Sequence, residues 1–235
     1  MQPFFFKPIN SNKLPRAVLF DLDGTLSDSA HDLGEALNIL RRRENLPDIA
    51  FDKIRPIANH GANALIKLGF GIDENHPDHQ IWRKAYLDAY AQCFDRKPLL
   101  FNNIDRMLRV LSQNGIAYGI VTNKPKKFTD ALIPKLGFTI KPQVVVSGNT
   151  LPFAKPHPAP LLYAAEKIQV SPSECVYIGD ALRDIEAGKS AGMQTILAAW
   201  GYIADNEKIE EWKADCIANN PFEVLSCIGL QSDFI

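Results

Sequence analysis

A chain of 235 residues, 46% apolar and 23% charged with a net charge of −1, suits one large domain or a domain carrying an insertion. That balance, with a pI near 6.5, excludes a global attraction to nucleic acid or to acidic membranes. The four cysteines, Cys93, Cys175, Cys216 and Cys227, are scattered with no C-x-x-C pair, so neither a disulfide framework nor a zinc site is expected and a reducing cytoplasm is the natural location.

In chain order, residues 1–15 (MQPFFFKPINSNKLP) read as a loosely held tail. Its aromatic run, Phe4 to Phe6, is broken by Lys7 and Pro8 and lacks the apolar core of a signal peptide. Those rings are expected to pack on the domain surface, and no stretch approaches the length of a membrane-spanning helix. Short apolar or β-branched runs bounded by turn residues predict strands over 17–23, 118–123, 143–148, 175–180, 195–200 and 216–219. Amphipathic patterns predict helices between them, over 103–114, 126–136, 158–168, 182–191 and 206–213. Strands alternating with helices imply α/β architecture, a doubly wound parallel sheet covered on both faces.

The stretch from 24 to 117 breaks that alternation. It predicts helices over 30–43, 52–58, 61–69 and 78–94 and no strand, which implies a helical cap domain inserted over residues 28–100 into a core made of 16–27 and 101–235. Trp82, Tyr86 and Tyr90 recur at helical spacing and read as helix core. Arg41 to Arg43 read as solvated charge at a helix end, favourable to the helix dipole.

Ligands of open parallel sheets bind at the carboxyl ends of strands. Those ends carry Asp21-Leu22-Asp23-Gly24-Thr25, then Thr122-Asn123-Lys124, then Lys155 in a following loop, then Gly179-Asp180 with Asp184 four residues on. Singly, each is an ordinary turn or cap residue. Together they put four carboxylates, a hydroxyl and an ammonium on one rim. The repulsion calls for a hard divalent cation, and Mg²⁺ suits a few carboxylates plus waters and a phosphate. One carboxylate of the Asp-x-Asp pair can attack phosphorus and the other can serve as general acid and then base. Thr122 and Lys155 suit the phosphate oxygens.

DLDGT, VTN, KPHP and GDALRD, in that order on successive strands, resemble the four motifs of the haloacid-dehalogenase-like hydrolase superfamily, over essentially the whole chain after residue 16. DLDGTLSDSAHDL, VTNKP, KPHPAPLL, GDALRDIEAGKSAGM and the following WGY are most similar to the phosphoglycolate phosphatase branch. The compact insertion and the WGYIADNE tail also resemble the branch acting on N-acetylmuramic acid 6-phosphate. The resemblance implies a helical cap on a Rossmann-like core and Mg²⁺-dependent hydrolysis of a small phosphorylated metabolite through an aspartyl-phosphate. It implies that Asp21 is the nucleophile and Asp23 the acid and base, with a backbone carbonyl on the metal. Thr122 and the Asn123 N–H would hold phosphate, and Lys155 would neutralise phosphate and nucleophile. Asp180 would ligate the metal, with Asp184 holding metal-bound water.

Asp23 favours ester chemistry, because a halide leaving group needs no proton. His157 and His31 read as a loop residue and a helix-start residue. A phosphomutase of the β-phosphoglucomutase kind uses the same motifs, and a non-catalytic binding protein would have lost Asp21 or Asp23. The expected partner is a small phosphorylated metabolite, with no nucleic acid or membrane, bound by a monomer or homodimer. Asn59, His60 and Gly61 fall at a helix start in the insertion, where N–H groups favour an anion; a plain capped turn is the equal alternative. A small substrate carboxylate would want Arg55, His60 or that helix start near it.

Overall fold

The computed structural model describes residues 9, 13–94 and 99–230; the tail and its Phe4 to Phe6 run lie almost entirely outside them. Six parallel strands form one sheet in the order β3-β2-β1-β4-β5-β6. They are β1 (Ala17–Phe20), β2 (Ala117–Val121), β3 (Val145–Val146), β4 (Cys175–Gly179), β5 (Gln194–Ala198) and β6 (Cys216–Ala218). β1 is central because all four of its residues are apolar and fully buried. Val18 and Phe20 face one apolar cluster and Ala17 and Leu19 the other, the period-2 alternation of a strand covered on both faces. Truncating such a side chain, as in Leu19→Ala, costs about 2–5 kcal/mol.

The first four helices between β1 and β2 are α1 (Ala30–Arg43), α2 (Phe51–Ala58), α3 (Gly61–Phe70) and α4 (His79–Tyr90). Tyr86 and Tyr90 are buried and Trp82 tilts against Phe70 with ring centroids 4.3 Å apart, as the helical stripe requires. The chain enters and leaves this insertion side by side. Asp28 N–H donates to the Leu99 carbonyl (3.0 Å) and Phe101 N–H to the Leu26 carbonyl (3.0 Å). The arginines at the end of α1 do more than face solvent. Arg42 pairs with Glu35 and Asp48 at 3.0 and 2.6 Å, and Arg41 donates to the Pro47 carbonyl and to the Gly69 carbonyl.

The remaining helices are α5 (Ile104–Gln113), α6 (Lys126–Leu132), α7 (Ala159–Lys167), α8 (Leu182–Ser190) and α9 (Pro221–Cys227). Two expectations need correction. The predicted helix over 206–213 is a short 3-10 turn, Ile209–Trp212, because Glu207, Lys208, Glu210, Glu211 and Lys213 leave no apolar stripe to bury. The chain instead forms α9, with Pro221 at its start and the Asn220 side chain accepting from Phe222 and Glu223 N–H. Cysteine pairing also differs: Cys216 on β6 and Cys227 on α9 form a disulfide, with Cα atoms 6.2 Å apart. The β6–α9 turn folds the two together at a spacing that a C-x-x-C criterion overlooks. Cys93 and Cys175 are buried and lie outside that disulfide.

Candidate active site

Three chain segments meet at the carboxyl ends of β1, β2 and β4. β1 stops at Phe20, but Asp21 N–H still donates to the Ile178 carbonyl at 2.8 Å, which fixes the Asp21 backbone beside β4. Its buried carboxylate lies 2.9 Å from Lys155 Nζ. The same ammonium stands 2.8 Å from Asp184 Oδ1 and donates to the Val121 carbonyl (2.9 Å) and the Tyr177 hydroxyl (2.7 Å). Asn123 clamps this loop to β2: its Oδ1 accepts from Lys155 N–H (3.0 Å) and its Nδ2 donates to the Lys155 carbonyl (2.9 Å).

Asp180 completes an acidic cluster. Its Oδ2 accepts from Tyr202 N–H at 2.9 Å and its Oδ1 from the Thr25 hydroxyl at 3.2 Å. Gly24 sits over it with φ +82°, and a Cβ there would come within 2.1 Å of Asp180 Oδ2. Only glycine allows both the left-handed turn and that approach. Asp21, Asp180 and Asp184 each offer an oxygen within 4.8 Å of the others.

The charge balance is unfavourable to three bare carboxylates. Burial pushes the Asp21 carboxyl up, against the pull of Lys155 and with a further push from Asp184. Asp180 is pushed up to about 8 by burial and then by Asp21 and Asp184. Arg183 adds a second cation 4.0 Å from Asp21 Oδ2. Burial works against the Arg183 charge, but Asp184, Asp21 and Asp180 outweigh it and hold the guanidinium above its ordinary pKa. Three hard oxygen donors, buried together and short of positive charge, fit a small divalent cation such as Mg²⁺.

Asp23 is set apart from this cluster. Strand geometry does not persist through Leu22, so the two aspartates do not share one direction. Asp23 accepts from the Ser29 hydroxyl (2.5 Å) and pairs with Lys124 Nζ (3.0 Å). Lys124 is buried and also donates to the Tyr90 hydroxyl of α4 at 2.6 Å. Asp21, Asp23, Thr122 and Asn123 nevertheless open on one cavity of about 240 Å³, together with Asn59, His60 and Gly61 of the insertion. Thr122 is buried, and its hydroxyl accepts from Lys124 N–H at 3.1 Å.

The insertion residues divide. Asn59 crosses to the core: its Nδ2 donates to the Asp180 carbonyl (2.9 Å) and its Oδ1 accepts from Arg183 (2.8 Å). His60 Nε2 lies 3.5 Å from Glu207. Arg55 donates to the Gly201 carbonyl at 3.1 Å and lies over the Tyr202 ring, outside the cavity wall. His157 is exposed and stacks on Phe153, and His31 stacks on Phe51. Sequence reading passed over Lys124, Arg183, Tyr177 and Ser29 as site residues. Lys124 and Arg183 lie inside the quoted motifs, so their positions were visible. Their partners, which come from across the fold, were not.

The family model described as haloacid dehalogenase-like hydrolase matches residues 18–198. A phosphoglycolate phosphatase of Xanthomonas campestris pv. campestris is 38% identical over 210 residues, 89% of this chain and 94% of the relative. An N-acetylmuramic acid 6-phosphate phosphatase of Pseudomonas aeruginosa is 33% identical over 213 residues, 91% of this chain and 94% of the relative. The crystal structure of a predicted phosphoglycolate phosphatase from Haemophilus somnus superposes with a TM-score of 0.79 at 26% identity, covering 92% of this chain and 99% of that one. The chain belongs to the haloacid dehalogenase-like hydrolases. Within them it is a phosphatase.

Proposed function

We propose that the chain is a Mg²⁺-dependent phosphomonoesterase that works through an aspartyl-phosphate on a small phosphorylated metabolite, with phosphoglycolate the first candidate. The carrying observation is that two carboxylates two residues apart occupy different environments on one cavity: Asp21 against Lys155 and Arg183, Asp23 against Lys124 and Ser29. Asp21 attacks phosphorus and the P–O bond to the leaving group breaks, while Asp23 gives its proton to the departing alkoxide. Asp23, now a carboxylate, takes a proton from a water, which attacks phosphorus. The bond to Asp21 breaks, inorganic phosphate leaves and Asp21 is restored. Thr122, the Asn123 N–H and Lys155 bind and orient the phosphate. Asp21, Asp180, Asp184 and the Asp23 carbonyl would hold Mg²⁺, which when bound supplies positive charge to the phosphate oxygens.

The relatives' substrates differ in bulk, and a cavity of about 240 Å³ favours the smaller one. Residues 28–100 act as the lid, hinged where 26–28 and 99–101 run together. The enzyme acts as a monomer or homodimer.

Phosphate release from phosphoglycolate, measured against added Mg²⁺ after chelation, tests this reading. Activity should vanish with chelator and return with Mg²⁺. Asp180→Ala should raise the Mg²⁺ requirement more than Asp184→Ala, because Lys155 already neutralises Asp184. Full turnover in metal-free protein, or transfer of phosphate between hydroxyls in place of release, contradicts it.

A further inference from the structure

The cavity wall includes four cationic or imidazole side chains, His60, Arg83, Lys124 and Arg183, with Lys155 beside Asp21, and their partners separate them. Lys155 pairs with Asp21 and Asp184, Lys124 with Asp23, Arg183 with Asn59 and Asp21, and His60 lies against Glu207. Arg83, part-buried on α4 and in the wall of the same cavity, has neither an ion pair nor a hydrogen bond among the described residues. The other expected cation, Arg55, is spent on the Trp200 and Gly201 carbonyls and the Tyr202 ring.

We infer that Arg83 selects substrates whose leaving group carries a carboxylate. This rests on the phosphatase reading of the same site and adds the group that reads the far end of the substrate. Phosphate is taken by core residues, Asp21, Thr122 and Lys155. Arg83 comes from the insertion, so a molecule held at phosphorus presents its other end to the insertion's side of the cavity. The cavity wall is partly apolar, with Leu87 and Phe128 among its members, and its acidic members, Asp21 and Asp23, each have their own cation. An unpaired guanidinium in such a wall offers a planar fork that a carboxylate fits through two parallel hydrogen bonds. A second phosphate would bring roughly twice the charge to one guanidinium and needs more room than about 240 Å³ shared with the first phosphate. A neutral polyol would leave the cation uncompensated in a confined site.

The test compares 2-phosphoglycolate with 2-hydroxyethyl phosphate, which replaces the carboxylate with a neutral hydroxymethyl group. The readout is the ratio of kcat/KM for the two esters within each protein, so a partly misfolded preparation cancels. The wild-type enzyme should prefer phosphoglycolate by about 100-fold or more, the scale of a charge-assisted bidentate contact. Arg83→Gln should bring the ratio to within about threefold, and Arg83→Lys, which keeps the charge but loses the fork, should fall between. An equal loss on both esters makes Arg83 structural and overturns the inference, as does an unchanged ratio. A wild-type enzyme that hydrolyses both esters equally well also overturns it while leaving the phosphatase reading intact. A wild-type enzyme that hydrolyses neither, nor any other phosphate ester, sinks that reading itself.

Discussion

At the scale of single residues, Asp180 makes the sharpest demand on its surroundings. It accepts two hydrogen bonds, from Tyr202 N–H and Thr25, and lies fully buried beside two more carboxylates. Its pKa is pushed from 3.8 up to about 8, first by burial and then by Asp21 and Asp184. A folded-state pKa above the unfolded value means that the native protein binds this proton more tightly. The stability it contributes is full below about pH 4 and is lost as pH rises toward 8. In chelator, thermal unfolding at pH 8 should come about 2–8 °C below that at pH 5, the effect of roughly 1–2 kcal/mol on a domain of this size. Asp180→Asn should flatten that slope, and Mg²⁺ should reverse it in the wild-type protein by binding the ionised form. A slope in chelator that Asp180→Asn leaves unchanged would show that other groups set the pH dependence.

At the scale of elements, the turn between α2 and α3 is a clasp between insertion and core. Asn59 is buried, bonded to the carbonyl of Asp180 and to Arg183, which itself faces Asp21. Asn59→Ala leaves that guanidinium without its neutral partner and removes a contact that draws the insertion over the site. Losing a hydrogen bond to a charged group costs about 1.5–3 kcal/mol, so kcat/KM should drop about ten- to a hundredfold on large and small phosphate esters alike. His60→Ala, in the cavity wall but held only at 3.5 Å by Glu207, should instead reorder substrates without a common loss. A reordering by Asn59→Ala with a minimal aryl phosphate unaffected would assign Asn59 to substrate and remove the clasp. The elements themselves were legible where a stripe or an alternation reported burial, as in β1, α1 and α4. Elements set by capping or by charge were not. The 206–213 segment has helix-forming residues but only Ile209 and Trp212 to bury, both just half-buried, whereas α9 announces itself through Asn220 and Pro221, a signal that apolar periodicity ignores.

At the scale of the whole molecule, one central strand flanked on both sides delivers Asp21 to a rim where β2 and β4 also end and the α2–α3 turn comes close. The order of motifs along the chain makes that convergence readable from sequence, because parallel strands present all their carboxyl ends on one side. What sequence could not supply is which side chains meet these cations. Lys124 and Arg183 sit next to named motif residues, yet their partners, Tyr90 and Asn59, lie 34 and 124 residues away. The same long-range packing turns Asp21 and Asp23 into different environments, which is the basis for giving one the attack on phosphorus and the other the protons. That division is tested most directly by a single turnover of ³²P-labelled aryl phosphate with the Asp23→Asn variant. The aryl leaving group departs without a proton, but no carboxylate remains to activate water. The predicted result is one equivalent of aryl alcohol per enzyme and a matching equivalent of hydroxylamine-sensitive label on the peptide containing Asp21. Release of labelled phosphate with no protein-bound label at any quench time, or label on another residue, would contradict Asp21 as the nucleophile.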